Sequence, residues 1–332
     1  MVDARPTVTV VIPVLNEERH IARCLEALDA QSYPNVVEVL VVDGGSTDRT
    51  CDLVRHRGGR NRVLSNPRRI QSAALNVGLA EARGDILVRV DGHCVVAPDY
   101  VERCVSALEE SGAALVGGAM TPQAEGWLQE GIAAAMTSPL GVGPARFHVG
   151  GHAAWVDTVY LGAYRTGVAR EVGGYREDVG VNEDAEFAIR MRPRGGIWFD
   201  PSIRSTYTPR SSIKAVARQF FRYGRSRAAT VRRHPTSLAP RQMAAPLLLV
   251  GLASPWRVKV AVGYGGFVLV AGARQLATRP RSAAGLTLAL PAMHLPWASG
   301  FLLGLVQGTY RLGSPATSTP PVDPPGPHAE VA

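Results

Sequence analysis

The feature that most constrains this chain is an alternation near its start, without any internal sequence repeat, of short β-branched runs, polar stops and helical patterns. Val8–Ile12, Val36–Val42 and Ile86–Val90 are buried-strand runs, and the last two end directly on Asp43 and Asp91. Between them, Ile21, Leu25 and Leu28 recur at helical spacing, and the pattern over Ile70–Ala82 predicts a second helix stopped by Gly84. Asn16 is expected to cap the first helix, with Glu17 and Glu18 in its first turn, and Thr47 or Asp48 the helix after the second strand. Strands alternating with helices pair in parallel through crossover connections. Functional groups in such sheets sit beyond the carboxyl ends of the strands, where Asp43 and Asp91 fall.

Further along, local signals weaken over 111–165. Trp155–Leu161 reads as a strand, Gly173-Gly174-Tyr175 as a turn and Glu183–Met191 as a helix. Ser212 is placed to cap an amphipathic helix to about Thr230, with Ile213, Val216, Ala217, Phe220 and Gly224 on one face.

Charge divides the chain. Residues 1–200 carry 20 Arg against 26 acids, whereas residues 201–322 carry 16 Lys and Arg and no acid. A basic, acid-free half calls for an anionic partner, and the same half holds three apolar segments: Gln242–Trp256, Val260–Ala273 and Ser282–Tyr310. A membrane surface is therefore the expected partner, and nucleic acid is not, because RNA-binding signatures and stacking aromatics are missing. Only the third segment exceeds the roughly 20 residues that span a bilayer. The first two fit re-entrant or interfacial pieces, and Pro291 and Pro296 are expected to kink the third. Arg257, Lys259, Arg274, Arg279, Arg281 and Arg311 put positive charge in every connection, which leaves topology undetermined. From Gly313 the Pro/Ser/Thr-rich tail reads as disordered. No signal peptide is visible, so the N-terminal part is expected to stay cytoplasmic. Cys24, Cys51, Cys94 and Cys104 form no CxxC pair and read as small buried hydrophobes.

Four short stretches carry chemistry. Asp91-Gly92-His93 leaves a strand with a carboxylate and an imidazole two residues apart, a pair able to share one Mg²⁺ or Mn²⁺, although a turn with a surface histidine looks the same. Asp43, followed by Gly-Gly-Ser-Thr-Asp, can accept hydrogen bonds from a base or ribose, or simply end a strand. Glu183 and Asp184 open a helix, either as favourable N-terminal charges or with Asp184 as a general base. Gln219, Arg222 and Tyr223 lie on the basic helix, where an arginine suits a diphosphate. A P-loop is missing, and so is a Gly-rich phosphate loop followed by Arg or Lys.

Taken in order, these elements resemble the inverting family 2 glycosyltransferases of the GT-A fold over about residues 7–230. The resemblance is carried by Val11–Glu18, Val41–Asp48, Asn76-Val77-Gly78, Gly84-Asp85, Asp91-Gly92-His93, Gly173–Tyr175 with Glu183-Asp184, and Gln219–Tyr223. His93 in the metal motif, the segment Ser138–Gly143 and the apolar tail are similar to succinoglycan-type membrane-associated glucosyltransferases. The resemblance implies an α/β fold of GT-A type, Rossmann-like and mostly parallel with flanking helices, plus C-terminal membrane-associated helices. The expected divisions are 1–210 (nucleotide-sugar domain), 211–240 (basic interfacial helix), 241–312 (membrane-associated helices) and 313–332 (tail).

It further implies that Pro13, Glu17, Asp43, Asn76 and Asp91 hold a UDP-sugar. Asp91 and His93 would bind the divalent cation, and Asp184 would deprotonate the acceptor. Glu183, Gln219, Arg222 and Tyr223 would serve the diphosphate and a lipid-linked saccharide. Three departures stand out: Gly44 and His93 each replace an aspartate common in the family, and Tyr223 replaces a tryptophan. The expected activity is transfer of a hexose, glucose foremost, to a polyprenyl-diphosphate-linked saccharide at the cytoplasmic membrane, in extracellular polysaccharide synthesis. A polyprenyl-phosphate glycosyl synthase fits the same N-terminal motifs, and a silent sugar-nucleotide-binding scaffold is the reading outside enzymology. Acceptor choice separates the first two, and turnover separates both from the third. All of this requires Asp43, Asp91 and Asp184 to meet along one cleft.

Overall fold

A computed structural model describes residues 5–179 and 181–307. The first half is β1 (Val8–Val14), α1 (Ile21–Asp29), β2 (Val36–Asp43), α2 (Thr50–Arg57), β3 (Asn61–Ser65), α3 (Gln71–Glu81) and β4 (Ile86–Arg89). The second half adds β5 (Val95–Val96), α4 (Tyr100–Ser111), β6 (Leu115–Pro122), α5 (Gly126–Met136), α6 (Pro139–Val142), α7 (Arg146–Val149), β7 (Ala154–Trp155), β8 (Tyr160–Arg165), α8 (Thr166–Glu171), α9 (Glu183–Met191) and β9 (Ile197–Tyr207). The helices α10 (Ile213–Arg233), α11 (Ala244–Leu252), α12 (Arg257–Thr278) and α13 (Pro280–Gln307) follow.

The described strands form one sheet in the order β3-β2-β1-β4-β8-β6-β9-β5, with β7 paired to β9. β3-β2-β1-β4 is parallel throughout, and β6 and β9 run parallel to each other, with β8 antiparallel between β4 and β6. Side chains alternate across the pleat. Val10 and Ile12 therefore join a core on one face with α1 and α4, while Val11, Leu40 and Val42 join a second core on the other face with α3 and α9. The carboxyl ends of β2 and β4 share one edge of the sheet.

Several local expectations need correction. Asn16 does not cap a helix. It takes a left-handed φ of 57°, which asparagine tolerates, and its Oδ1 accepts the Thr47 N–H at 2.8 Å, so α1 begins only at Ile21. Trp155–Leu161 is not one strand. β7 ends at Trp155, pairing with Trp198, and β8 begins at Tyr160 in a different pairing with β6. The apolar segment at 260–273 is longer than expected because Arg257, Lys259 and Arg274 continue it, making α12 a 22-residue helix. Pro291 and Pro296 lie inside the continuous helix α13. The tail 313–332 lies outside the described residues.

Among the described residues, α12 and α13, with mean hydropathies of 1.3 and 1.4, are long and apolar enough to cross a membrane by length and composition. The apolar face expected on α10 is real, but it packs on α13. A Cβ at Gly224 would stand 2.0 Å from the Trp297 carbonyl oxygen, so only glycine permits this approach. Gly224→Val is expected to destabilise the protein by about 1–3 kcal/mol through overpacking, read as a lowered thermal midpoint in detergent.

Candidate active site

The site is built on the carboxyl edge of the parallel strands. β4 ends at Arg89, and the chain turns through Asp91-Gly92-His93. Gly92 is needed there because a Cβ would meet Val14 Cγ1 at 2.9 Å and Glu17 Cγ at 3.2 Å. An open cleft lies beside this turn, lined by Pro13, Glu17, Gly44, Asn66, Arg69, Gln71, Asp91 and His93 among others. Asp43 ends β2 and is not itself among the cleft's lining residues, although the next residue, Gly44, is. It stands two strands from β4 across β1, roughly 10 Å at ordinary strand spacing. Its carboxylate accepts the N–H groups of Gly45 and Ser46, which shapes the turn that puts Gly44 in the cleft wall.

Arg89 organises the acids. It is 5% exposed, donates from Nε to Asp91 Oδ1 at 3.2 Å and from Nη1 to Glu183 Oε1 at 3.1 Å. Burial opposes its charge, but Asp91 and Glu183 outweigh that and hold it protonated. Glu183 and Asp184 open α9, where the helix N-terminus favours negative charge. Asn182 precedes them at φ 62°, and Asp184 Oδ1 accepts the Ala185 N–H at 2.8 Å. Burial raises the pKa of both acids, that of Glu183 to about 7, with Arg89 pulling the other way. A raised carboxyl suits a general base. Glu183 and Asp184 are not among the cleft's lining residues, and Glu183 is tied to the lining residue Asp91 through Arg89.

His93 Nδ1 pairs with Glu17 Oε1 at 3.0 Å, which leaves Nε2 for another ligand. Burial alone would lower the His93 pKa; the Glu17 bond and the nearby Asp91 outweigh it and raise it. Ligand atoms of Asp91, His93 and Cys94 all lie within 4.8 Å of one another. A carboxylate and an oriented imidazole fit a divalent cation. Cys94 is the poor member: its Sγ contacts the Tyr160 hydroxyl at 3.0 Å, and burial pushes its thiol up to about 12. It stays a core thiol, as do Cys24 and Cys104.

One expected site residue has its polar groups engaged elsewhere. The Asn76 amide is committed to the 175–177 loop, donating to the Tyr175 carbonyl and Glu177 and accepting the Tyr175 N–H, and Asn76 is not among the cleft's lining residues. Arg210, which was not expected in the site, is a cation whose charge bears on His93, Tyr207 and Tyr223. Arg210 Nε is buried with no hydrogen-bond partner among the described residues. Gln219 donates to the Tyr223 hydroxyl at 2.8 Å, and the Tyr223 carbonyl accepts from Asn182 at 3.5 Å. Ser226 binds the Val179 and Val181 carbonyls. These contacts make α10 a brace for the loop that presents Glu183 and Asp184.

Sequence reading missed Arg89, Gln71, Asn66 and Arg210. An arginine interrupting an apolar strand just before Asp91 was the available signal for the first. Gln71 donates to Asp91 Oδ1 at 3.2 Å, a contact that nothing in its local pattern announces.

A family model described as glycosyl transferase family 2 matches residues 9–173. The chain is also 34% identical over 310 residues to the succinoglycan biosynthesis protein ExoA of Rhizobium meliloti, covering 88% of this chain and 93% of that one. The chain belongs to glycosyl transferase family 2. This family 2 glycosyltransferase is also 28% identical, over 68% of its length and 74% of the relative's, to a dolichyl N-acetyl-alpha-D-glucosaminyl phosphate 3-beta-D-2,3-diacetamido-2,3-dideoxy-beta-D-glucuronosyltransferase of Methanococcus voltae. Its fold is GT-A, as the sequence resemblance implied. A mannosyltransferase from Pyrobaculum calidifontis, solved with GDP-Man and Mn²⁺, superposes with a TM-score of 0.61 at 20% identity, over 92% of this chain and 88% of that one. That likeness speaks to the fold alone.

Proposed function

We propose that this family 2 glycosyltransferase is an inverting enzyme that moves a hexose, glucose foremost, from a UDP-sugar to a polyprenyl-diphosphate-linked saccharide in extracellular polysaccharide synthesis. It works at the cytoplasmic membrane with its catalytic domain facing the cytoplasm. The observation that carries the reading is the Arg89-centred cluster, which sets the cation-binding pair Asp91 and His93 beside the raised carboxyls of Glu183 and Asp184. Similarity to a succinoglycan biosynthesis protein and to a transferase named for a dolichyl phosphate-linked sugar supports the lipid-linked acceptor.

Pro13, Glu17 and Gly44 form the wall along which the nucleoside lies, and Asp43, the residue before Gly44, serves it from the end of β2. Asp91 and His93 Nε2 would hold Mn²⁺ or Mg²⁺, which supplies positive charge against the departing diphosphate. Arg210 adds a cation on the same side. Asp184 takes the proton of the acceptor hydroxyl as that oxygen bonds to the anomeric carbon. The bond from that carbon to the diphosphate oxygen breaks, and its electron pair leaves with UDP. One displacement inverts the centre, so an α-linked donor gives a β-linked product.

The test is nucleotide diphosphate release from a panel of UDP- and GDP-sugars, with polyprenyl-diphosphate-saccharide and bare polyprenyl phosphate as separate acceptors. UDP-glucose with the saccharide acceptor is expected to turn over. Turnover on bare polyprenyl phosphate alone would make the protein a polyprenyl-phosphate glycosyl synthase. Glu17 acts on the cation through His93, so Glu17→Gln should weaken Mn²⁺ affinity by about 10–100-fold in calorimetry.

A further inference from the structure

We infer that α11 and α12 form a face that lies in the plane of an anionic bilayer and enters one leaflet, and that α13 is a core helix of the protein and not a transmembrane span. This rests on the membrane association proposed above, but not on the identity of the sugar.

Length does not decide between lying and spanning. The 22 residues of α12 extend about 33 Å, enough to cross. The neighbours of α13 do decide. Its first half packs on α5, where Gly285 meets the Trp127 carbonyl and Gly131. Its second half packs on α10, where Gly300 meets the Phe221 carbonyl and Gly304 meets Ala228 and Arg225. At its end, Gln307 accepts a hydrogen bond from Arg225. α13 thus lies against the catalytic domain along nearly its whole length. Submerging it would drag α10 into hydrocarbon together with Lys214, Arg218, Arg222 and Arg225, each costly at the centre of a bilayer.

α12 is placed differently. It touches α13 through Val268, Ala271 and Gly272, and turns the rest of its surface outward. Leu247, Val250, Val258, Val262, Leu269 and Leu276 are each more than half exposed, giving one apolar surface across α11 and α12. Trp256 is 63% exposed, with Lys259 Nζ 4.8 Å from its ring centroid, a pairing suited to the headgroup level. Arg257 and Lys259 stand at one end of α12, and Arg274, Arg279 and Arg281 at the other, with no acid from residue 201 to 307. A spanning helix would carry one of these basic clusters to the far side. A helix lying in the interface brings both to the same anionic headgroups, which accounts for the lack of orientation in the charge pattern.

The experiment uses the full chain in sealed vesicles of phosphatidylcholine and phosphatidylglycerol with the catalytic domain outside. Ala253→Cys lies just before α12 and Ala277→Cys in its last turn, both at exposed positions, and Arg55→Cys reports the exposed face of α2. A membrane-impermeant maleimide is expected to label all three equally, above the wild-type background. Protection of Ala277→Cys until detergent is added would overturn the in-plane arrangement while leaving membrane association intact. In flotation, the wild type should rise with these vesicles, and Val262→Asp combined with Leu269→Asp should stay at the bottom with unchanged UDP binding. A wild type that fails to float removes the membrane itself as partner. A double variant that floats like the wild type overturns the assignment of this face. A wild type that sediments as a dimer, split by the double variant and indifferent to vesicles, would show that a second copy covers the face, and would also overturn it.

Discussion

Asp184→Asn is expected to lower turnover by about 10²–10⁴-fold, the usual contribution of a positioned general base, while UDP binding in calorimetry stays unchanged. The amide keeps the shape of the carboxylate and can still accept the Ala185 N–H, so α9 keeps its start. What it loses is the ability to take a proton. Burial has already raised the affinity of Asp184 for that proton, against the pull of Arg89, which makes it a stronger base than an exposed aspartate. Near-normal turnover in the variant would remove Asp184 as the base and shift the role to Glu183, whose carboxylate is otherwise held by Arg89.

Arg89→Met is expected to cost about 3–5 kcal/mol of stability and to abolish activity. Methionine fills much the same space, so the loss is electrostatic. Asp91 and Glu183, with side chains 12% and 4% exposed, would be left as like charges in a buried pocket without their shared cation. A large drop in thermal midpoint, partly recovered by adding Glu183→Gln, is the signature to look for. A variant as stable as the wild type would mean that water or a bound cation already compensates these acids, and that Arg89 is not the organising charge.

The parts of the site that sequence reading reached are those written in local order. Asp43 and Asp91 ended apolar runs, and strand ends on one edge of a parallel sheet converge by geometry alone. The Glu183-Asp184 pair was visible as an acidic helix start. The parts it missed depend on contacts between distant segments. Gln71 reaches Asp91 from the start of α3, and the charge of Arg210, just before α10, bears on His93. Asn76 was misplaced for the same reason: its motif position suggested a ligand, but its amide fits the backbone of a loop 99 residues away. Asn16 failed as a cap because a left-handed residue bonded to Thr47 competes with helix initiation. The apolar tail was legible in composition, yet periodicity could not say that α13 would find its partners on α5 and α10.

The Ser226 contacts to the Val179 and Val181 carbonyls, with α10 itself wedged on α13, have a consequence for how the protein is made. Ser226 and the rest of α10 come after Tyr207, the last residue of β9, so the brace on the segment ahead of Glu183 is supplied by chain made after the sheet. During synthesis the sheet and the Arg89 contact to Glu183 can therefore form before that brace is in place.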